Sequence, residues 1–162
     1  MTMAQTEQYV KMMLDSLQKK DKVLEEIIRL NKVQTEIASK EELDIDEFSH
    51  CVEEKQKYID ELNSLDDGFQ MLFDKVKDEL NKSKELYKDE IRQMQGYIKM
   101  LSEKSILIKA QEEKNRLSLQ SHFSRMKDKV KVAKQSIKAA TDYYKSMSKT
   151  NIIDSQFMDK KK

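Results

Sequence analysis

The chain has 162 residues, no proline, two glycines (Gly68 and Gly96) and one cysteine, with charged and hydrophobic residues each at 38%. Folds built on β-hairpins or phosphate-cradling loops need residues that fix a turn or tolerate positive φ, so this composition excludes them and leaves helices carrying narrow apolar stripes. The net charge of +1 conceals a division: residues 1–80 carry 11 Lys/Arg and 20 Asp/Glu, residues 81–162 carry 20 and 10, and helices so charged attract one another when packed side by side.

The spacing predicts a first helix from Thr2 to Ala38, where Val10, Met13, Leu14, Leu17, Leu24, Ile27 and Ile28 recur at three- and four-residue steps. Acidic residues break the pattern from Ser39 to Asp46, and Asp44 with Glu47 three residues on has the spacing of a capping box. A second helix follows, with Phe48, Val52, Ile59 and Leu62 on one stripe. Asp66-Asp67-Gly68 either ends it or kinks it. Beyond Gly68 the row Phe73, Leu80, Tyr87, Met94, Leu101 keeps a step of seven, while its companion row slips one residue after Ser83 to Ile91 and Ile98, which predicts a local change of winding. A turn is expected at Ser102 to Ser105.

After that turn come two rows of sevens: Leu119, Met126, Ala133, Ala140, Met147 and Phe123, Val130, Ile137, Tyr144. They predict one long helix with a coiled-coil seam that must pack on the other helices or on a partner. Tyr144 continues the row, so Tyr143 is expected to turn away and to stand exposed as an anchor for a partner. From Ser148 to Lys162 the periodicity is lost, although Ile152, Ile153, Phe157 and Met158 are large apolar groups in a polar tail. The expected architecture is all-α, an elongated antiparallel helical bundle or coiled-coil hairpin of three to four long helices. Residues 1–147 form one domain and 148–162 a flexible tail.

Catalytic chemistry is poorly provided for. Glu47 and His50 have the Glu-x-x-His spacing of di-iron bundles, but position 119, three before His122, is a leucine, so the ligand set is incomplete and a surface pair is the simpler reading. His50 and Cys51 point about 100° apart on a helix and cannot share a metal with so few ligands. With no phosphate loop either, neither enzyme activity, cofactor nor metal is expected. The basic run Arg125, Lys127, Lys129, Lys131, Lys134, Lys138 could contact phosphates, but it flanks an apolar seam and lacks an aromatic platform, which makes nucleic acid the lesser reading. Ten methionines, several on helix stripes, suit surfaces that accept helices of imperfect fit. A lone cysteine and the lack of a cationic leader or a ~20-residue apolar run point to the cytoplasm.

The run Glu54-Lys55-Gln56-Lys57-Tyr58-Ile59-Asp60-Glu61-Leu62, then Leu65-Asp66-Asp67-Gly68-Phe69, resembles FlgN-type flagellar export chaperones of Gram-positive bacteria. So do Ile108-Lys109-Ala110-Gln111-Glu112-Glu113-Lys114-Asn115, Tyr143-Tyr144-Lys145-Ser146-Met147 and Phe157-Met158-Asp159-Lys160-Lys161-Lys162. The resemblance runs in order along nearly the whole chain. It implies a cytoplasmic chaperone that binds the disordered C-terminal segments of hook–filament junction proteins of the FlgK and FlgL class and delivers them to the export gate component FlhA. Carried onto this sequence, it places partner contacts at Ile137, Ala140, Tyr143, Tyr144, Met147, Ile152, Ile153, Phe157 and Met158. A structural coiled-coil scaffold is the alternative that the heptad rows alone support.

Overall fold

The computed structural model describes residues 1–125, 134–135 and 137–147. Helix α1 spans Met3–Ser39, α2 Ile45–Lys82 and α3 Lys88–Arg125, and a fourth helical stretch, α4, covers 137–147. The architecture is an all-α bundle.

Each break has a local cause. Thr2 caps α1 in a reciprocal box: its hydroxyl accepts from the Gln5 amide at 3.2 Å, and the Gln5 side chain accepts from the Thr2 amide at 3.0 Å. Asp44 caps α2 through Oδ1, which accepts from the amides of Asp46 and Glu47 at 3.1 and 3.2 Å. Ile37, Ala38, Leu43, Phe48, Cys51, Val52 and Leu119 close into a small apolar cluster that seals this end of the bundle.

Helix α2 is continuous through Asp66-Asp67-Gly68, and α3 is continuous through 102–105, so neither expected punctuation turns the chain. The chain turns instead at residues 83–87, where a change of winding was expected. Leu86 and Tyr87 donate their amides to the Ser83 carbonyl at 3.0 and 3.3 Å. No described residue has positive φ, so this turn requires neither glycine nor proline and leaves no compositional mark. The companion row's one-residue slip was the turn's only trace.

Partner numbers give the directions. Lys20 meets Asp66 while Asn31 meets Lys55, so α1 and α2 are antiparallel. Polar contacts from α1 to α3 keep a separation of 79 to 84 residues, from Glu25–Lys104 to Ala38–His122, so α3 runs parallel to α1. Helix α1 packs along both others, and it buries an unusually broad face for that reason. The backbones of α2 and α3 nowhere approach within 8 Å (Cα–Cα), which leaves a groove between them opposite α1.

The long fourth helix expected from Leu119 to Met147 is not what forms. Tyr144 donates to the Glu112 carbonyl, 32 residues back. One continuous helix would hold those residues about 48 Å apart at ~1.5 Å per residue. Glu112 and Tyr144 therefore do not lie on one continuous helix. Met126, Val130 and Ala133 of the expected seam lie outside the described residues.

Both glycines are helix-interior, and a β-carbon built on either meets nothing within 4 Å. Gly68→Ala and Gly96→Ala are each expected to stabilise the fold by about 0.5–1 kcal/mol, because alanine restricts the unfolded chain and fits the helix. Urea denaturation of the single and double variants checks this: a fall in midpoint would mean that the space or the helical conformation at those sites is not as described.

Candidate functional site

The groove between α2 and α3 has two unlike halves. In one, α4 lies across a buried polar layer. Stripe positions along α2 step by threes and fours through Phe48, Val52, Lys55, Ile59 and Leu62, so helical geometry drives Lys55 inward with its apolar neighbours. On α3, Glu112 and Asn115 are buried in the same way. Lys55 is 1% exposed and Glu112 3%. The ammonium donates to both Glu112 carboxylate oxygens at 2.8 and 3.0 Å, to Asn31 Oδ1 at 2.9 Å and to Gln34 Oε1 at 2.5 Å. Asn31 in turn donates to Gln111 at 3.1 Å, and Asn115 donates to the Asn31 carbonyl at 3.1 Å. Three helices thus share one satisfied network, as buried charge requires.

Helix α4 completes this layer. The Lys55 ammonium sits 4.3 Å from the centroid of the Tyr143 ring, and Tyr144 donates its hydroxyl to the Glu112 carbonyl at 2.5 Å. The two rings meet edge to face at 5.9 Å. Desolvation pulls the Lys55 pKa below the ordinary lysine value, against the Glu112 charge and hydrogen bond that raise it. Desolvation, then the Glu112 charge, pushes the Tyr143 phenol well above its usual value, and the same two causes raise Tyr144.

This arrangement corrects one expectation directly. Tyr143 is not an exposed anchor; it is 1% exposed and among the largest buried side chains. Its ring covers a buried cation, and no sequence period could announce that. Ala140 and Met147 are also buried, Tyr144 is half-buried, and Ile137 is 40% exposed. Ile152, Ile153, Phe157 and Met158 lie outside the described residues, as do Lys127, Lys129 and Lys131 of the basic run. The structure brings Tyr143, Tyr144 and Met147 together on one docked face. Of the partners that hold this face, Lys55 carried no expected role, and Glu112, which with Glu113 reads in the sequence as an ordinary solvated helix charge, is instead buried; both occupy stripe positions where an apolar residue is the rule. A charge at a seam position was the available signal.

A second buried pair, Lys20 with Asp66 at 2.9 Å, ties α1 to α2 next to Ser16, whose hydroxyl donates to the Leu65 carbonyl. The bundle's charge division is expressed more weakly: Lys104 of the basic half bridges Asp21 and Glu25 of α1 at 2.5 and 2.7 Å. Lys55–Glu112 runs the other way, a base from the acidic half and an acid from the basic half.

No described residue of α4 lies over the other half of the groove. Near the 83–87 turn, Phe73 and Leu80 of α2 face Ile91 of α3 across a cavity of about 580 Å³, with Lys77, Lys84, Lys88 and Arg92 around it. No described side chain fills it. Elsewhere, His50 pairs with Glu54 at 2.9 Å on the exposed face of α2, and His122 is buried with Nε2 at 2.7 Å from the Ala38 carbonyl, which makes Nε2 the protonated nitrogen. Among the described residues no three His, Cys, Asp or Glu side chains converge to hold a metal, and no helix is long and apolar enough to cross a membrane. No protein-family model, curated protein or solved structure matches the chain.

Proposed function

We propose that this protein is a cytoplasmic, FlgN-type flagellar export chaperone, a binder of helical segments rather than an enzyme. The observation that supports the reading most is the divided groove. One helix of the chain, α4, already lies between α2 and α3, and the adjoining half of the same groove has an apolar floor with no described side chain in it. A scaffold that receives its own helix in this way is suited to receive another. The cargo would be the disordered C-terminal segment of a hook–filament junction protein of the FlgK or FlgL class. Such a segment orders as it binds, and buried apolar area offsets the ordering cost. Ile137, Tyr144 and the apolar residues of 148–162 remain the proposed contacts for cargo or for the gate component FlhA, whereas Ala140, Tyr143 and Met147 serve by holding α4 in place.

The scaffold alternative requires the heptad seam to be offered to other chains. Leu119, Ala140 and Met147 are buried within one chain, which favours the chaperone reading. Calorimetry with C-terminal fragments of hook-associated proteins tests it. One-to-one binding is expected; well-folded protein that releases no heat with any such fragment overturns the proposal. Light scattering that shows an obligate oligomer held through 119–147 would favour the scaffold instead.

A further inference from the structure

We infer that the chain's own residues 148–162, which lie outside the described residues, are the occupant of the half-groove that α4 leaves uncovered, with Ile152, Ile153, Phe157 and Met158 as their anchors. The inference concerns the chain alone; it goes beyond the chaperone reading and does not depend on it.

The direction of α4 is the first support. Tyr143 and Tyr144 lie at the level of Lys55 and Glu112. Met147, one helical turn further on, joins the apolar cluster of Ile59, Leu62 and Ile108, and not the cluster of Phe48, Val52 and Leu119 on the other side of that layer. Helix α4 therefore runs toward the 83–87 turn, and its last described residue stands at the border of the uncovered half. On α3, Gln95 and Ile91 of the cavity come 13 and 17 residues before Ile108, a span of about 20–26 Å along the helix. Fifteen residues span about 22 Å as helix and about 50 Å extended, so 148–162 are long enough to reach the cavity.

The composition of the segment matches the lining. Residues 150–159 hold four large apolar side chains and two acids, Asp154 and Asp159, with no base; Lys149, Lys160, Lys161 and Lys162 stand outside that core. The cavity sets four bases, Lys84, Lys88 and Arg92 among them, against one acid, with Leu80 and Ile91 in its floor. Apolar burial and opposite charge therefore favour the same ten residues.

Covalent attachment decides between this segment and a separate partner. A segment on a short tether is present at an effective concentration on the order of 1 mM. A separate partner of equal fit at micromolar concentration competes roughly a thousandfold less well.

The test uses the full chain and a labelled peptide of residues 148–162, followed by fluorescence anisotropy. In the variant Ile152→Ser, Ile153→Ser, Phe157→Ser, Met158→Ser the chain's own segment loses its anchors. The peptide is expected to bind that variant at least about tenfold more tightly than wild type, whose own segment blocks the site. Adding Lys84→Glu, Lys88→Glu and Arg92→Glu, which alter exposed side chains, should weaken peptide binding about tenfold at low salt. Equal affinity for wild type and the serine variant, or binding to neither, overturns the inference. Peptide affinity that ignores the three charge reversals places the segment elsewhere and overturns it too. Light scattering should find a monomer; a dimer that is lost in the serine variant would assign the groove to the segment of a second copy, with the same consequence. Calorimetry with hook-protein fragments is a separate readout, so the chaperone reading stands or falls on its own.

Discussion

Replacing Lys55 by alanine is expected to cost about 3–5 kcal/mol of folding stability, the largest single-site loss among the polar groups of the bundle. The side chain gives one ammonium to Glu112, Asn31 and Gln34 and lies against the Tyr143 ring. Without it, a carboxylate 3% exposed has no cation, and two buried amides lose their donor. Urea denaturation reads the loss as a lower midpoint at similar slope. The double variant Lys55→Met, Glu112→Leu should recover most of it, because removing both charges abolishes the desolvation penalty as well as the attraction. Asn31 and Gln34 still lack their partner there, so recovery is incomplete. A loss below ~1 kcal/mol for Lys55→Ala would show that the pair is not buried as described. Hydrogen exchange should further show α4 opening before the other helices in this variant, since Tyr143 packs on the missing group.

The second large effect is a loss of stability above about pH 10. A phenol whose folded pKa lies above its unfolded value stays protonated in the fold while the unfolded chain ionises. Its contribution is therefore complete below the unfolded value near 10 and is lost as pH rises beyond it. Tyr143, raised chiefly by desolvation and then by Glu112, should cost about 1.4 kcal/mol per pH unit in that range. Tyr144 is raised for the same reasons and acts in the same direction, with a smaller effect because it is only half-buried. Cys51 and Tyr87, raised chiefly by desolvation, also favour the unfolded chain at high pH. Lys55 opposes them over a lower interval: its folded pKa is depressed, so its contribution improves as pH rises towards its unfolded value of 10.5 and is constant above it. The difference in stability between wild type and Tyr143→Phe isolates one phenol and should fall with pH above 10. A pH-independent difference would contradict the burial of that hydroxyl.

These two expectations centre on one layer, and that layer explains the position of α4. An apolar seam alone would let the helix slide by a turn or rotate. A cation under Tyr143 and a carbonyl under Tyr144 fix its register, since any other placement leaves Lys55 or Glu112 poorly matched. Fixing α4 also fixes where the filled half of the groove ends and the basic-rimmed half begins.

The all-helical class followed from composition, because no proline and two isolated glycines leave little besides helix and helical turn. The starts of α1 and α2 were legible for a local reason: Thr2, Gln5 and Asp44 satisfy orphan amides within the first turns of these helices. Most of the core was legible too, since Val10, Met13, Ile59, Leu62, Met94 and Leu101 repeat at helical steps. Three things were decided only by tertiary structure. The 83–87 turn uses no positive φ and keeps the row Phe73, Leu80, Tyr87, Met94 in phase, so the sequence marked it only by the one-residue slip of the companion row. The seam from Leu119 to Met147 reads as one helix because a heptad records which face is apolar and not whether successive repeats belong to the same helix. Tyr143 is buried by a lysine 88 residues away, a pairing that exists only when α2, α3 and α4 share one layer. Periodicity determined that these helices have faces to bury; the balance of buried charge decided which faces meet.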